Sequence, residues 1–236
     1  GVPVSPARRA PRRVLPAAVA VIAVAGAGLA LLLARGGPPA GRAAPGGSAA
    51  PSPAGTAIPQ VSLAGLRWSA YHGVMLPSSP AAGPRDASGG LASGFADTPL
   101  GALTAALNIA VRANAQWGPG VYGPTIRGQV TGPYAAALLA GCQATYAQDS
   151  KAAHVTGGAP LGNAYVTEEA FRWVAWSPAA ATVDLVSAAP GSQGVTVRAT
   201  VRVQVTWSGG DWRVVAPPGG DWGNAAAGLS SLSGYT

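Results

Sequence analysis

Twenty-one consecutive residues without a charge, Val14 to Ala34 (VLPAAVAVIAVAGAGLALLLA), constrain this chain more than any other feature. At about 1.5 Å rise per residue the stretch is roughly 30 Å long as a helix, the hydrocarbon thickness of a bilayer. Helix is the form in which a lone segment pairs all its own backbone groups in lipid. Pro16 falls in the first turn, where its missing N–H costs little. Arg8, Arg9, Arg12 and Arg13 precede the stretch, and Arg35 and Arg42 follow it. That bias places residues 1–13 in the cytoplasm as a basic tail, residues 14–34 across the cell membrane as a single pass, and the rest outside the cell. A cleaved signal peptide is the rival reading; its apolar core is normally about 7–15 residues, shorter than this one. Both readings export the remainder of the chain.

The net charge of +7 belongs to that N-terminal stretch. Six arginines and no acidic residue lie before residue 43, so the following chain is close to neutral. It has no charge excess with which to build a phosphate-binding face, and no direct contact with nucleic acid is expected. Residues 35–60 are Gly, Pro, Ala and Ser without apolar periodicity, which predicts a disordered linker.

A folded domain is expected over 61–223, with a flexible tail at 224–236. Trp68 to Pro77 reads as a strand or irregular arm docked on the core. Thr98-Pro99 opens a helix, Thr98 as N-cap and Pro99 at the first position. Leu100, Leu103, Leu107, Ala110 and Val111 form its apolar stripe, and Trp117-Gly118-Pro119-Gly120 ends it. A second helix is predicted from Gly132 to about Gln148, burying Tyr134, Leu138, Leu139, Cys142 and Tyr146. From Val195 to Trp207 apolar residues alternate with polar ones, which predicts a long half-wet strand. Ser208 to Asp211 is its hairpin turn, and Ala170–Trp176 and Thr182–Ser187 are earlier strands. Helices followed by an antiparallel meander make an α+β domain.

The blocks Tyr71-His72-Gly73-Val74-Met75-Leu76-Pro77, Gly94 to Leu103 (GFADTPLGAL), Phe171-Arg172-Trp173 and Gly210-Asp211-Trp212 resemble a family of membrane-anchored proteins on actinobacterial integrative and conjugative elements. One Lys against fourteen Arg, with abundant Ala, Gly and Pro, fits a GC-rich actinobacterial genome. Helices before a twisted sheet that ends in a Gly-Asp-Trp hairpin resemble the nuclear transport factor 2-like cone. Tail, single helix and exported cone are together similar to the assembly-platform subunits of type IV secretion systems. The resemblance implies a non-catalytic scaffold whose partners are other membrane or channel subunits or further copies of itself.

Few residues point to chemistry, and neither catalytic residues, nor a metal, nor a cofactor is expected. His72 and His154 lack metal-ligand spacing. Cys142, the only cysteine, sits on an apolar helix face and reads as an inert thiol rather than a nucleophile. Asp97 precedes a helix, which is reason enough for a carboxylate there. Asp184 alternates with Val183 and Leu185 and is expected in solvent, as are Glu168 and Glu169. Arg198, Thr200, Arg202 and Gln204 share the polar face of the long strand; a wet sheet face is the plain reading, a protein-contact surface the functional one. An anchored extracellular small-molecule-binding domain or enzyme is the alternative to the scaffold. A pocket closed by Trp and Leu favours the scaffold, and an open pocket with a carboxylate at its base favours the alternative.

Overall fold

The computed structural model describes residues 57–191 and 194–236. The expected basic tail, the membrane span 14–34 and most of the linker lie outside the described residues. Among those described, no helix is long and apolar enough to cross a membrane.

Among the described residues the domain is a mixed α+β fold of a sheet and three helices, the first two packed on the sheet and the third on the second. Strands β1 (Arg67–Tyr71) and β2 (Val74–Ser78) form an antiparallel hairpin. Helix α1 (Pro99–Arg112) follows, then α2 (Pro119–Gln129), the short strand β3 (Val130–Thr131) and α3 (Ala135–Ala152). The meander is β4 (Thr167–Ser177), β5 (Ala180–Pro190), β6 (Thr196–Ser208) and β7 (Asp211–Val215), and a last short strand is β8 (Ala226–Gly228). The sheet order is β3-β7-β6-β5-β4, with β3 parallel to β7 and β8 paired to β6.

Period two is realised in β6. Ala199, Val201, Val203 and Val205 are buried, at most 1% exposed, and face α1. Val195 lies outside the strand and is 60% exposed. Two glycines with positive φ, Gly209 and Gly210, make the tight turn to β7. The expected strands upstream are β4 and β5, joined across Pro178-Ala179.

Helix α1 starts as expected, its first turn capped by the Thr98 side chain, which accepts from Gly101 N at 3.1 Å. It is more buried than a single stripe implies, because every residue from Gly101 to Arg112 is inside. Alanines let neighbours close in from all sides, and at Gly101 a Cβ would lie 2.0 Å from the Ala96 carbonyl oxygen. Helix α2 was not expected. Its start, Pro119 after the positive-φ Gly118, has the local chemistry of a helix terminator. Helix α3 runs where the second helix was expected, but only Leu138 and Cys142 are fully buried on it. Tyr134 precedes it and is 45% exposed.

The tertiary bond that orients α1 comes from the β6–β7 turn. The Asp211 carboxylate accepts from Gly94 N (2.8 Å), Phe95 N (3.0 Å) and its neighbour Trp212 N (2.9 Å). Trp212 Nε1 donates to the Ala96 carbonyl at 2.8 Å. Replacing Asp211 by Ala leaves these amides without acceptors. The expected loss is about 2 kcal/mol or more, a fall of roughly 4–8 °C in the melting temperature. Asp221→Ala, which removes an exposed turn contact to Gly223 N, is the comparison and is expected to shift the melt far less.

Candidate functional site

The polar face of β6 is only partly wet: Thr196 and Arg202 are exposed, and Arg198, Thr200, Gln204 and Thr206 are half-buried. After β8 pairs with Ala199–Val201, Leu229 N donates to Arg198 O, and the chain crosses the sheet until Thr236 exchanges both backbone hydrogen bonds with Phe171 on β4. Residues 224–236, expected as a flexible tail, thus form a turn, a strand and a strap over the outer face. Val186, on that face, is 0% exposed, and the Thr200 hydroxyl is buried without a partner.

Asp184 also departs from expectation. It lies on the outer face, as alternation requires, yet it is 3% exposed because two arginines cover it. Arg172 Nη2 donates to its Oδ2 at 2.7 Å; Arg202 donates from Nε to Oδ1 at 2.8 Å and from Nη2 to Oδ2 at 3.1 Å. Burial alone would raise this carboxyl, but the hydrogen bonds and charges of Arg202 and Arg172 outweigh it and hold it below its ordinary value. The Tyr235 ring of the strap lies 4.6 Å from the Arg172 guanidinium. Arg198 pairs with Glu169 at 2.6 Å. Of the candidate contact residues, Arg198 is matched by Glu169, Arg202 shares the single Asp184 carboxylate with Arg172 so that the trio keeps one positive charge, the Thr200 hydroxyl is covered, and Gln204 is half-buried.

A second polar group was missed. Thr104, Asn108 and Arg112, four residues apart, form a buried stripe on α1 under the β1–β2 hairpin. Asn108 Nδ2 donates to Pro77 O at 3.0 Å, and Arg112 Nη1 donates to Asn108 Oδ1 at 2.8 Å. The Arg112 guanidinium also sits 4.4 Å from the centre of the Tyr71 ring. Tyr71 meets Trp117 edge-on, and the exposed His72 ring stacks on Trp117 at 5.3 Å. The spacing of the three residues was legible; their burial was not. His72 thus closes the outside of an aromatic cluster, and His154 sits exposed past the end of α3. Asp97 is exposed just before the helix cap. Burial pushes the Cys142 thiol up to about 12, so it stays protonated at neutral pH.

A recess lies between the β1–β2 hairpin, α1 and the start of β4. It holds about 480 Å³ of unfilled space, its mouth included. Leu63, Leu66, Trp68, Leu103, Leu107 and Phe171 supply most of its wall, and Glu168 is its carboxylate. It therefore combines the Trp/Leu closure and the carboxylate that were expected as alternatives. Glu168 was expected in solvent. A β-bulge between Glu168 and Ala170 adds a residue, so Glu168 comes opposite Ser187 and turns inward while Glu169 turns out to Arg198. Both Glu168 oxygens lie 2.9 Å from the Ser187 hydroxyl. Burial raises this carboxyl to about 7, and the Ser187 hydrogen bond only partly opposes the shift.

A family profile described as "Domain of unknown function (DUF8175)" matches residues 34–236. The chain belongs to this family. The DUF8175 match begins at the end of the apolar stretch and runs through the strap, so the whole described fold lies within it. No curated protein and no solved structure matches the chain.

The inward Glu168 makes stability depend on pH. Its folded value is above the ordinary one, so the folded state holds the proton more tightly, and stability falls as pH rises from about 4.5 to about 7. The loss is on the order of 3 kcal/mol at most. Glu168→Gln is expected to flatten melting temperature against pH across that window. A wild-type curve already flat there, or an unchanged slope in the variant, counts against an inward Glu168.

Proposed function

We propose that this DUF8175 protein is a membrane-anchored, non-catalytic assembly subunit of a conjugative transfer apparatus of the type IV secretion kind. The observation that carries the reading is the dispersal of its polar candidates. His72 caps an aromatic cluster, Asp97 precedes α1, His154 follows α3, and Asp184 is saturated by two arginines on the opposite face of the sheet. Reaction chemistry needs such groups converging on one point. Binding needs only a rigid exported body, and this one is cross-tied by Asp211 and by the strap. Helices on one face of a meander are compatible with the nuclear transport factor 2-like cone, and the span 14–34 would set the domain outside the membrane. Its partners would be channel subunits or further copies of itself. The guanidinium side chains of Arg172 and Arg202 remain 45% and 55% exposed despite their ion pairs, so the outer face still offers hydrogen-bond donors to a partner.

A second reading, an exported small-molecule-binding domain, is favoured by the Glu168 recess. One experiment separates the two. In an element that transfers between cells, deleting the gene is expected to abolish transfer. Asp97→Asn, His72→Asn and His154→Asn are each expected to restore it, and a reporter fused after Thr236 is expected to be active only outside the membrane. Transfer untouched by the deletion removes the conjugation reading. A well-folded single variant that fails to restore transfer moves the assignment to the second reading.

A further inference from the structure

Among the carboxylates lining the recess, Glu168 is the one with no cationic partner. The Thr104 hydroxyl donates within its own helix, to carbonyls at 3.0 Å. Thr236 is bonded to the backbone of Phe171, and Glu169 is held by Arg198. Glu168 has one hydroxyl for two oxygens. Ser187 has a single proton and can serve only one of them, so an ionised Glu168 would keep most of its acceptor capacity empty in a largely apolar pocket. The other charged residue lining the recess is Glu169, which is paired with Arg198. Arg67 on β1, Arg112 on α1, Arg172 on β4 and Asp184 on β5 are not among the lining residues. Nor can the N-terminal stretch supply an acid to compete for a cation there, since all eight acidic residues of the chain lie at or beyond Asp86.

We propose that this recess is a binding site for a small primary ammonium carried on a short apolar body, with Glu168 as its counter-ion and the Leu63, Leu66, Leu103, Leu107 and Phe171 side chains around the body. The lining is of the kind that takes a small ligand, mostly apolar with few polar groups that fix orientation. An ammonium fits better than a guanidinium. A planar fork takes both oxygens of a carboxylate, and here the Ser187 hydroxyl already sits 2.9 Å from each. An ammonium is a compact charge that can approach one side and leave that hydroxyl in place. The site goes beyond the assembly reading and stands whatever apparatus the domain serves.

Glu168 and Glu169 are the only glutamates in the chain. Glutamate labelled with ¹³C at the side-chain carboxyl therefore gives two resonances, and Glu168→Gln identifies one of them. The full chain, held in an amphipathic polymer, is titrated with butylammonium, with butanol and butyrate as the neutral and anionic probes. Saturable binding of butylammonium is expected to move the Glu168 titration midpoint downward and to leave Glu169 unaffected. Its affinity is expected to fall roughly 30-fold between about pH 8 and pH 5.5, following the ionised fraction of a group with a midpoint of about 7. Glu168→Gln is expected to bind butylammonium no better than butanol, and Leu107→Ala to weaken both. Should Glu168→Gln fail to fold, the wild-type midpoint and pH arms decide alone. The proposal is overturned if butylammonium leaves the Glu168 midpoint in place, if it binds equally at both pH values, or if butyrate binds as well. It is also overturned if Arg35→Ala with Arg42→Ala gains binding that the parent lacks, since the recess would then belong to the chain's own linker.

Discussion

A carboxylate that accepts three backbone N–H groups is one of the stronger contacts a side chain can make, because each bond is charge-assisted and none needs a second flexible partner. Asp211 does this across 117 residues of sequence. It sits at the one point where the β6–β7 turn, the segment entering α1 and the Trp cluster meet. From there Trp212 stacks outward through Trp176 and Trp173 to Phe171, each ring pair tilted or edge-on at 5.7–6.0 Å. The helix is thereby fixed against the sheet at its start. Its far end is held by different means, the Asn108 and Arg112 contacts under the β1–β2 hairpin. Two of the sequence blocks that carried the family resemblance, GFADTPLGAL and Gly-Asp-Trp, are the two sides of the Asp211 contact.

The meander was legible because alternation is a local signal; each Val of β6 declares its face without reference to any other part of the chain. The start of α1 was legible for the same reason, since Thr98 and Pro99 act within one turn. Helix α2 was not. Pro119, Gly120, Gly123, Pro124 and Gly128 argue against a helix locally, and only tertiary burial of Tyr122, Thr125 and Ile126 overrides them. Asp184 shows a different gap. Periodicity assigned it the correct face, but a face is not an exposure. What covers it comes from β4, from β6 and from a segment some fifty residues later, to which period two is blind.

Glu168 was misread for a third reason. One extra residue in an edge strand inverts every assignment beyond it, and nothing in Thr-Glu-Glu-Ala marks the bulge. The same bulge sends adjacent glutamates to opposite fates, Glu169 to an arginine in the outer layer and Glu168 to an apolar recess. Two like residues in sequence thus become one half of an ion pair and an inward acid raised toward neutrality.

The strap has a kinetic meaning as well as a structural one. Thr236 joins Phe171 across sixty-five positions, on top of a sheet whose strands must already be in register to receive it. Loop closure of that kind is costly until its docking surface exists. The strap therefore gains its two hydrogen bonds only once β4 is in place, and a chain end held by so few bonds is open to local fraying. The outer edge of β4, a side of the sheet able to recruit a stray strand, is guarded at Phe171 by the backbone of Thr236.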